Sequence, residues 1–285
     1  MLNYLQILIL AIIQGACELL PVSSSAHVIA AEKLMRLDPS SPEMTMLLVM
    51  LHTGTMFAVI VYFWKGWGRD YFSSPGQLQW FAIQLAIATA CTLVVGLALK
   101  VLIEKVFMRG VPHAQIEDLF DNLPLIAGAL AAVGVLIIYA GWTEQKAPRE
   151  SEIQPPHSVW IGIVQGFCIP FRGFSRSGST ISAGLILGLP KQKLEEFSFA
   201  LAVILTPLAV GREALRLVHQ NGPGGHQNLV HLFLPGLVGM VFSFVAGLLA
   251  LKWLSRWLEG GRWIYFGVYC LAAAGGVLVI HFKVA

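Results

Sequence analysis

Charge is scarce in this chain. Asp, Glu, Lys and Arg make up 12% of its 285 residues, against roughly 25% in an ordinary soluble domain. That is too little to cover the surface of a water-exposed fold of this size, which excludes a soluble enzyme and a disordered scaffold. The net charge of +3 implies no polyanion-binding surface, so a nucleic-acid binder is excluded as well. Cysteine is nearly absent. Cys17, Cys91, Cys168 and Cys270 form no C-x-x-C pair and no metal-ligand spacing, and all sit inside apolar runs, where the residue acts as a small buried side chain. Basic residues are missing before the first apolar run, Leu2 to Ile13, and no clear small-residue cleavage site follows it. The run is therefore not expected to be a removed leader.

What the chain has in abundance is apolar length. Hydrophobic residues make up 56% and the mean hydropathy is +0.71. Stretches 44–64, 79–103, 122–141, 231–251 and 263–282 are almost free of charge. Each is about as long as the roughly 20 residues that a helix needs to cross a bilayer core. The fold class is an all-α polytopic membrane protein. Three polar stretches punctuate it. Trp142 to Ser158 holds five charges and three prolines and reads as an extra-membrane linker near the middle. Glu104 to Asn122 reads as a charged connector broken by Gly110 and Pro112, and Asn221 to Asn228 as a loop.

The two halves repeat a signature. Ile12-Ile13-Gln14-Gly15-Ala16-Cys17 returns as Ile163-Val164-Gln165-Gly166-Phe167-Cys168, at an offset of 151. A serine-rich stretch follows each: Pro21-Val22-Ser23-Ser24-Ser25, then Ser175-Arg176-Ser177-Gly178-Ser179-Thr180. Three long apolar spans come after each stretch, with 196–218 as the first of the second set. This is an internal duplication within a single membrane domain, with repeat 1 over 1–141, repeat 2 over 158–285 and a polar linker over 142–157.

The segments that open each half are too short or too polar to be simple spans. Residues 3–20 carry Gln14 and Glu18; 26–37, 158–169 and 180–189 are short. Apolar runs of this length are expected to be re-entrant, so each half is predicted to be a helical hairpin plus three transmembrane helices. Non-helical backbone at membrane depth is tolerated where it lines a protein or water-filled interior, so both polar breaks should face an inner site. Each half then crosses an odd number of times. The second half therefore starts on the opposite side, and the repeat should be inverted, with the breaks meeting near the middle.

Glu18 stands out most: a carboxylate in an apolar run, one turn after Gln14 and on its face. An ionisable group there is a functional-site candidate. In Ser23-Ser24-Ser25-Ala26-His27, a serine cap starts a helix whose free N–H groups suit phosphate. Ser24 or Ser25 can donate hydrogen bonds or act as nucleophile, and His27 is placed for acid, base or nucleophilic work. His52 reads as an inter-helix hydrogen-bond partner. Gly173 to Thr180 is a Gly/Ser-rich turn with Arg176 in it, suited to a diphosphate. Two anion-binding helix starts with Glu18 between them leave room for a divalent cation, which would relieve the repulsion between Glu18 and the diphosphate.

These motifs, Gln14-x-x-x-Glu18, Leu20-Pro21-Val22-Ser23-Ser24-Ser25-Ala26-His27 and Gly173-Phe174-Ser175-Arg176-Ser177-Gly178-Ser179-Thr180, resemble the BacA/UppP family of undecaprenyl-diphosphate phosphatases. Gly54 to Trp64 and Glu196-Phe197-Ser198-Phe199 are similar too, so the resemblance covers nearly the whole chain. It implies a bacterial inner-membrane enzyme that removes one phosphate from the polyprenyl diphosphate carrier. That reaction recycles the carrier for peptidoglycan synthesis and is associated with bacitracin resistance. The resemblance also implies Mg²⁺ or Ca²⁺ dependence, with Glu18 and Gln14 as the metal-associated pair. Ser24 and His27 become candidates for nucleophile and proton transfer, with water as a third nucleophile. Arg176 becomes a diphosphate clamp with Ser175, Ser177 and Thr180; Ser23, Ser25 and Gly173 complete the phosphate-binding set. A site toward the periplasm is likewise implied, and a homodimer is compatible with it. The sequence departs from the family at Arg172, where Pro is usual before the Gly, and at Cys91, where Pro is common.

Two other readings are weighed. A lipid-carrier transporter or flippase would use the same repeat and polar breaks for alternating access. The unrelated type-2 phosphatidic-acid phosphatases place a His shortly after the Arg of a Ser-Arg motif; here position 182 is Ser.

Overall fold

A computed structural model describes residues 3–38, 41–107, 119, 122–143, 152–221 and 226–284. Among these residues the chain forms ten α-helices and no strand. The first half contains α1 (Tyr4–Leu19), α2 (Ser24–Leu34), α3 (Pro42–Asp70), α4 (Pro75–Leu102) and α5 (Leu123–Thr143). The second contains α6 (Pro155–Cys168), α7 (Arg176–Ile186), α8 (Lys191–Asn221), α9 (His226–Glu259) and α10 (Trp263–Val284). Local sequence sets several starts. Ser41 and Ser74 accept hydrogen bonds from the Met44 and Gln77 N–H groups at 3.2 and 3.3 Å, and each is followed by a proline in the first turn. Such caps carry α3 and α4 past their apolar windows.

Helix length separates two kinds of element. Helices α1, α2, α6 and α7 have 16, 11, 14 and 11 residues. At about 1.5 Å per residue, none reaches across roughly 30 Å of hydrocarbon. They pack as α1 on α2 and α6 on α7, giving two helical hairpins with breaks at 20–23 and 169–175. Among the described residues, five helices are long and apolar enough to cross a membrane: Met44–Asp70, Pro75–Val106, Leu123–Thr143, Phe233–Glu259 and Trp263–Lys283. The sixth expected span, 196–218, lies within one 31-residue helix, α8. The loop expected at 221–228 is shorter than composition implied: Asn221 ends α8 and His226 starts α9, and 222–225 lie outside the described residues. The linker 142–157 also contracts, since α5 takes its first two residues and α6 its last three; 144–151 lie outside the described residues. In the connector, Ile103–Phe107 extends α4 as a π-helical turn, while Gly110 and Pro112 fall outside the described residues.

Small residues let the helices approach closely, as packing in lipid requires. A Cβ on Gly15 would come within 2.5 Å of the Ser243 carbonyl oxygen, and one on Gly162 within 2.4 Å of that of Ala88. These contacts seat α1 on α9 and α6 on α4. Helices α3 and α9 run parallel, since Ser243 donates to the Leu51 carbonyl at 2.9 Å and Tyr62 to Ser255 at 2.9 Å. Helices α4 and α6 start at the same end, where Ser158 donates to Gln84 at 2.7 Å. Gly141 against Ile264 joins the end of α5 to the start of α10. Together these directions place all eight tryptophans, at 64, 67, 80, 142, 160, 253, 257 and 263, toward one end of the molecule. Exposed indole belongs at a membrane–water boundary, so Trp64, Trp80, Trp142, Trp160 and Trp253 give that end an aromatic belt, while Trp67 and Trp263 are buried. The buried core runs from Phe63, Trp67 and Phe81 through Phe197 and Phe199 to Leu20, Val22 and Ile181 beside the breaks.

Candidate active site at the hairpin tips

Helix α1 ends because Leu20 precedes Pro21, which holds it extended (ψ 152°) and stops the helical ladder. Glu18 is left in the last turn with Gln14 one turn behind. The chain then doubles back through Ser23, whose φ of 66° is in the left-handed region that a side chain seldom occupies. Ser23 caps α2 by accepting from the Ala26 N–H at 3.5 Å and bonds Ser25 Oγ at 3.2 Å.

The second tip turns at Gly173 (φ 100°), where a Cβ would lie 2.4 Å from the Ile126 carbonyl oxygen; only glycine fits there. Ser175 caps α7 by accepting from the Gly178 N–H at 3.2 Å. Arg176 is therefore the first residue of α7, at its positive end.

The tips touch. The Gly173 N–H donates to Ser25 Oγ at 3.2 Å, and Ser177 Oγ donates to the Leu20 carbonyl at 3.3 Å. Between them Arg176 Nη2 reaches Glu18 Oε1 at 3.5 Å. Three further side chains converge on that carboxylate. Ser24 Oγ donates to Oε2 at 2.5 Å, Gln14 Nε2 donates to it at 3.1 Å, and His52 Nδ1 lies 3.8 Å away. Gln14 Nε2 also sits 3.0 Å from His52 Nδ1, tying α1 to α3. The Glu18 and Arg176 side chains are 18% and 20% exposed, sheltered yet reachable.

The remaining candidates have other partners. Ser175, Ser177 and Thr180 are buried. Ser177 bonds backbone as above, while Thr180 donates to the Arg176 carbonyl at 2.9 Å and pairs with Ser198 Oγ at 2.6 Å. They shape the start of α7 and leave Arg176 to face Glu18. Arg176 Nη1 is steadied by the Ser198 carbonyl at 3.3 Å. His27 bonds neither Glu18 nor Arg176. Its Nδ1 lies 2.8 Å from the Ser23 carbonyl oxygen and its Nε2 2.8 Å from Tyr269 Oη. Ser198 and Tyr269 are polar contributors that the motifs did not single out. Ser198 sits in a stretch noticed only as a likeness, and Tyr269 is a lone hydroxyl in the apolar α10.

Chemically, the cluster sets a hydroxyl against a carboxylate at the length of a charge-assisted bond, beside a guanidinium that can fork onto phosphate oxygens. Helices α2 and α7 both begin here, so backbone N–H groups from two starts add to the anion-binding capacity. Among the described residues, no three His, Cys, Asp or Glu side chains gather as a metal-binding group.

Comparison with other proteins places the chain among known sequences. The profile of the family described as "Bacitracin resistance protein BacA" matches residues 7–276. The chain is 56% identical to Undecaprenyl-diphosphatase 2 of Acinetobacter baylyi, over 98% of each sequence. It is 32% identical to Undecaprenyl-diphosphatase of Desulfosudis oleivorans, covering 98% of this chain and 99% of that one. With the enzyme of the same name from Rhodopirellula baltica the identity is 30%, over 98% of each.

Proposed function

Because the chain belongs to the BacA family of bacitracin resistance proteins, we propose that it hydrolyses undecaprenyl diphosphate to undecaprenyl phosphate and inorganic phosphate. It is a multi-pass membrane protein. In this reading it works in the bacterial inner membrane with its site toward the periplasm, recycling the lipid carrier for cell-wall synthesis and conferring bacitracin resistance. The observation that carries the reading is the 3.5 Å approach of Arg176 to Glu18 across 158 residues of sequence.

The geometry supports an order of events. Arg176 and the N–H groups at the starts of α2 and α7 hold the diphosphate. Ser24 Oγ attacks the terminal phosphorus as its proton passes to Glu18 Oε2, 2.5 Å away. The bond from that phosphorus to the bridging oxygen breaks, and undecaprenyl phosphate leaves as an anion that needs no proton. Water then attacks the phosphoserine. Glu18 returns its proton to Ser24 Oγ, and the proton from water passes to His27, one helical turn along α2 from Ser24.

The residues fit Mg²⁺ or Ca²⁺. Magnesium in particular is held by one or two carboxylates together with substrate phosphate oxygens, and Glu18 supplies one carboxylate. Gln14 orients it through the amide nitrogen and, turned over, would offer its oxygen. When bound, the cation neutralises diphosphate charge that Glu18 alone would repel.

The inverted repeat belongs to the same proposal. It is supported by matched packing: α1 lies on α9 as α6 lies on α4, and α2 lies on α10 as α7 lies on α5. The test is phosphate release from undecaprenyl diphosphate by the purified chain in detergent, with and without a chelator. Release that stops with chelator, and a phosphoryl group trapped on Ser24 but missing from Ser24→Ala, are expected. Lipid movement between leaflets without any phosphate release would instead make the protein a flippase. A phosphoryl group on His27 would reassign the nucleophile.

A further inference from the structure

Tyr269 and His27 are 242 residues apart in sequence, yet their polar atoms meet at 2.8 Å and their rings lie within 10° of parallel, with centroids 5.6 Å apart. We infer that Tyr269 holds the His27 imidazole in one orientation throughout its proton cycle and relays the proton to it; this rests on the proton-transfer role proposed for His27 above.

The hydrogen-bond partners decide the tautomer. A carbonyl oxygen can only accept, so the 2.8 Å contact to Ser23 puts the proton on Nδ1. The lone pair of the neutral ring is then at Nε2, and the Tyr269 hydroxyl donates to it. Both nitrogens of the imidazole are thereby held. The phenol can do more than hold the neutral form. A hydroxyl both donates and accepts, so Tyr269 Oη can take the proton from water while passing its own to Nε2, and the same oxygen then accepts from the new N–H. Neither state of His27 loses its partner, and the ring need not turn between steps. Phenylalanine would keep the ring and lose the hydroxyl that does this.

The surroundings agree with a clamp. Helix α10 packs against α2. The next residue, Cys270, directs its thiol to the Pro21 carbonyl at 3.4 Å, so two successive side chains of α10 grip the first hairpin tip on either side of Ser24. Tyr269 is 46% exposed and is not needed to fill the core. Its position therefore answers to His27 more than to packing.

A double-mutant cycle on the full-length chain tests this, with kcat and KM measured for phosphate release from undecaprenyl diphosphate. His27→Ala is expected to lower kcat about 100-fold, within the range for loss of a proton-transfer group. Tyr269→Phe should lower kcat about 10-fold with KM changed less than about 2-fold, because it disturbs only the group that acts in the chemical step. The double variant should be no slower than His27→Ala alone, since Tyr269 works through a side chain that is already gone. An unchanged kcat in Tyr269→Phe, or losses that multiply in the double variant, would overturn the inference while leaving His27 in place. A near-normal rate in His27→Ala would remove the proton-transfer role itself.

Discussion

At the first hairpin tip, Gln14 bonds Glu18 and meets His52. At the second, the residue at the same place in the repeat, Gln165, donates to Thr92 at 3.0 Å. The carboxylate has no counterpart: the offset of 151 that joins Gln14 to Gln165 carries Glu18 to Ile169, an apolar side chain 49% exposed. Arg176 falls opposite Ser25, and Gly178 opposite His27. Similar backbone starting material thus presents acid, hydroxyl and imidazole at one tip and a guanidinium at the other. Identical tips would bring like charges together. Divergent tips bring an anion and a cation to 3.5 Å, and a bond-breaking site needs groups with distinct roles.

The comparison breaks most sharply at Glu18. Glu18→Ala should reduce phosphate release by about 10⁴-fold, the upper end of what a positioned base contributes, whereas Ile169→Ala at the mirrored place should stay within about 3-fold of the parent. Equal effects at the two positions would show that the tips share the chemistry evenly. A smaller contrast separates the glutamines. Gln14→Ala should slow turnover about 10-fold by loosening the Glu18 carboxylate. Gln165→Ala should leave turnover within about 2-fold and lower stability by roughly 1 kcal/mol, the usual worth of a lost hydrogen bond. Thermal unfolding run beside the activity assay distinguishes the two.

Much of the fold and part of the site were legible in the residues alone. Apolar run lengths distinguished the hairpin helices from the spans because burial in lipid demands a minimum length, which α1, α2, α6 and α7 lack. Glu18 stood out because a charge inside an apolar run is expensive to bury and is kept where it acts on something, and Arg176 because it sits in a Gly/Ser-rich turn suited to a diphosphate. Helix ends were less legible: caps such as Ser41 and Ser74 extend α3 and α4 beyond their apolar windows. Pairings across the chain were not legible at all. Nothing near Tyr269 in sequence points to His27, and Ser198 gives no local sign that its carbonyl steadies Arg176. Such contacts depend on which helices the hairpins pack against, and that is a property of the assembled fold.

If one group from each half acts on the same diphosphate, the most direct test is the kcat of phosphate release for Glu18→Gln, Arg176→Lys and the double variant. A shared site predicts that each single change costs about 10²-fold or more and that the double variant is little slower than the weaker single one. Losses that multiply fully in the double variant would contradict a shared site, because they would mean that the two side chains act independently.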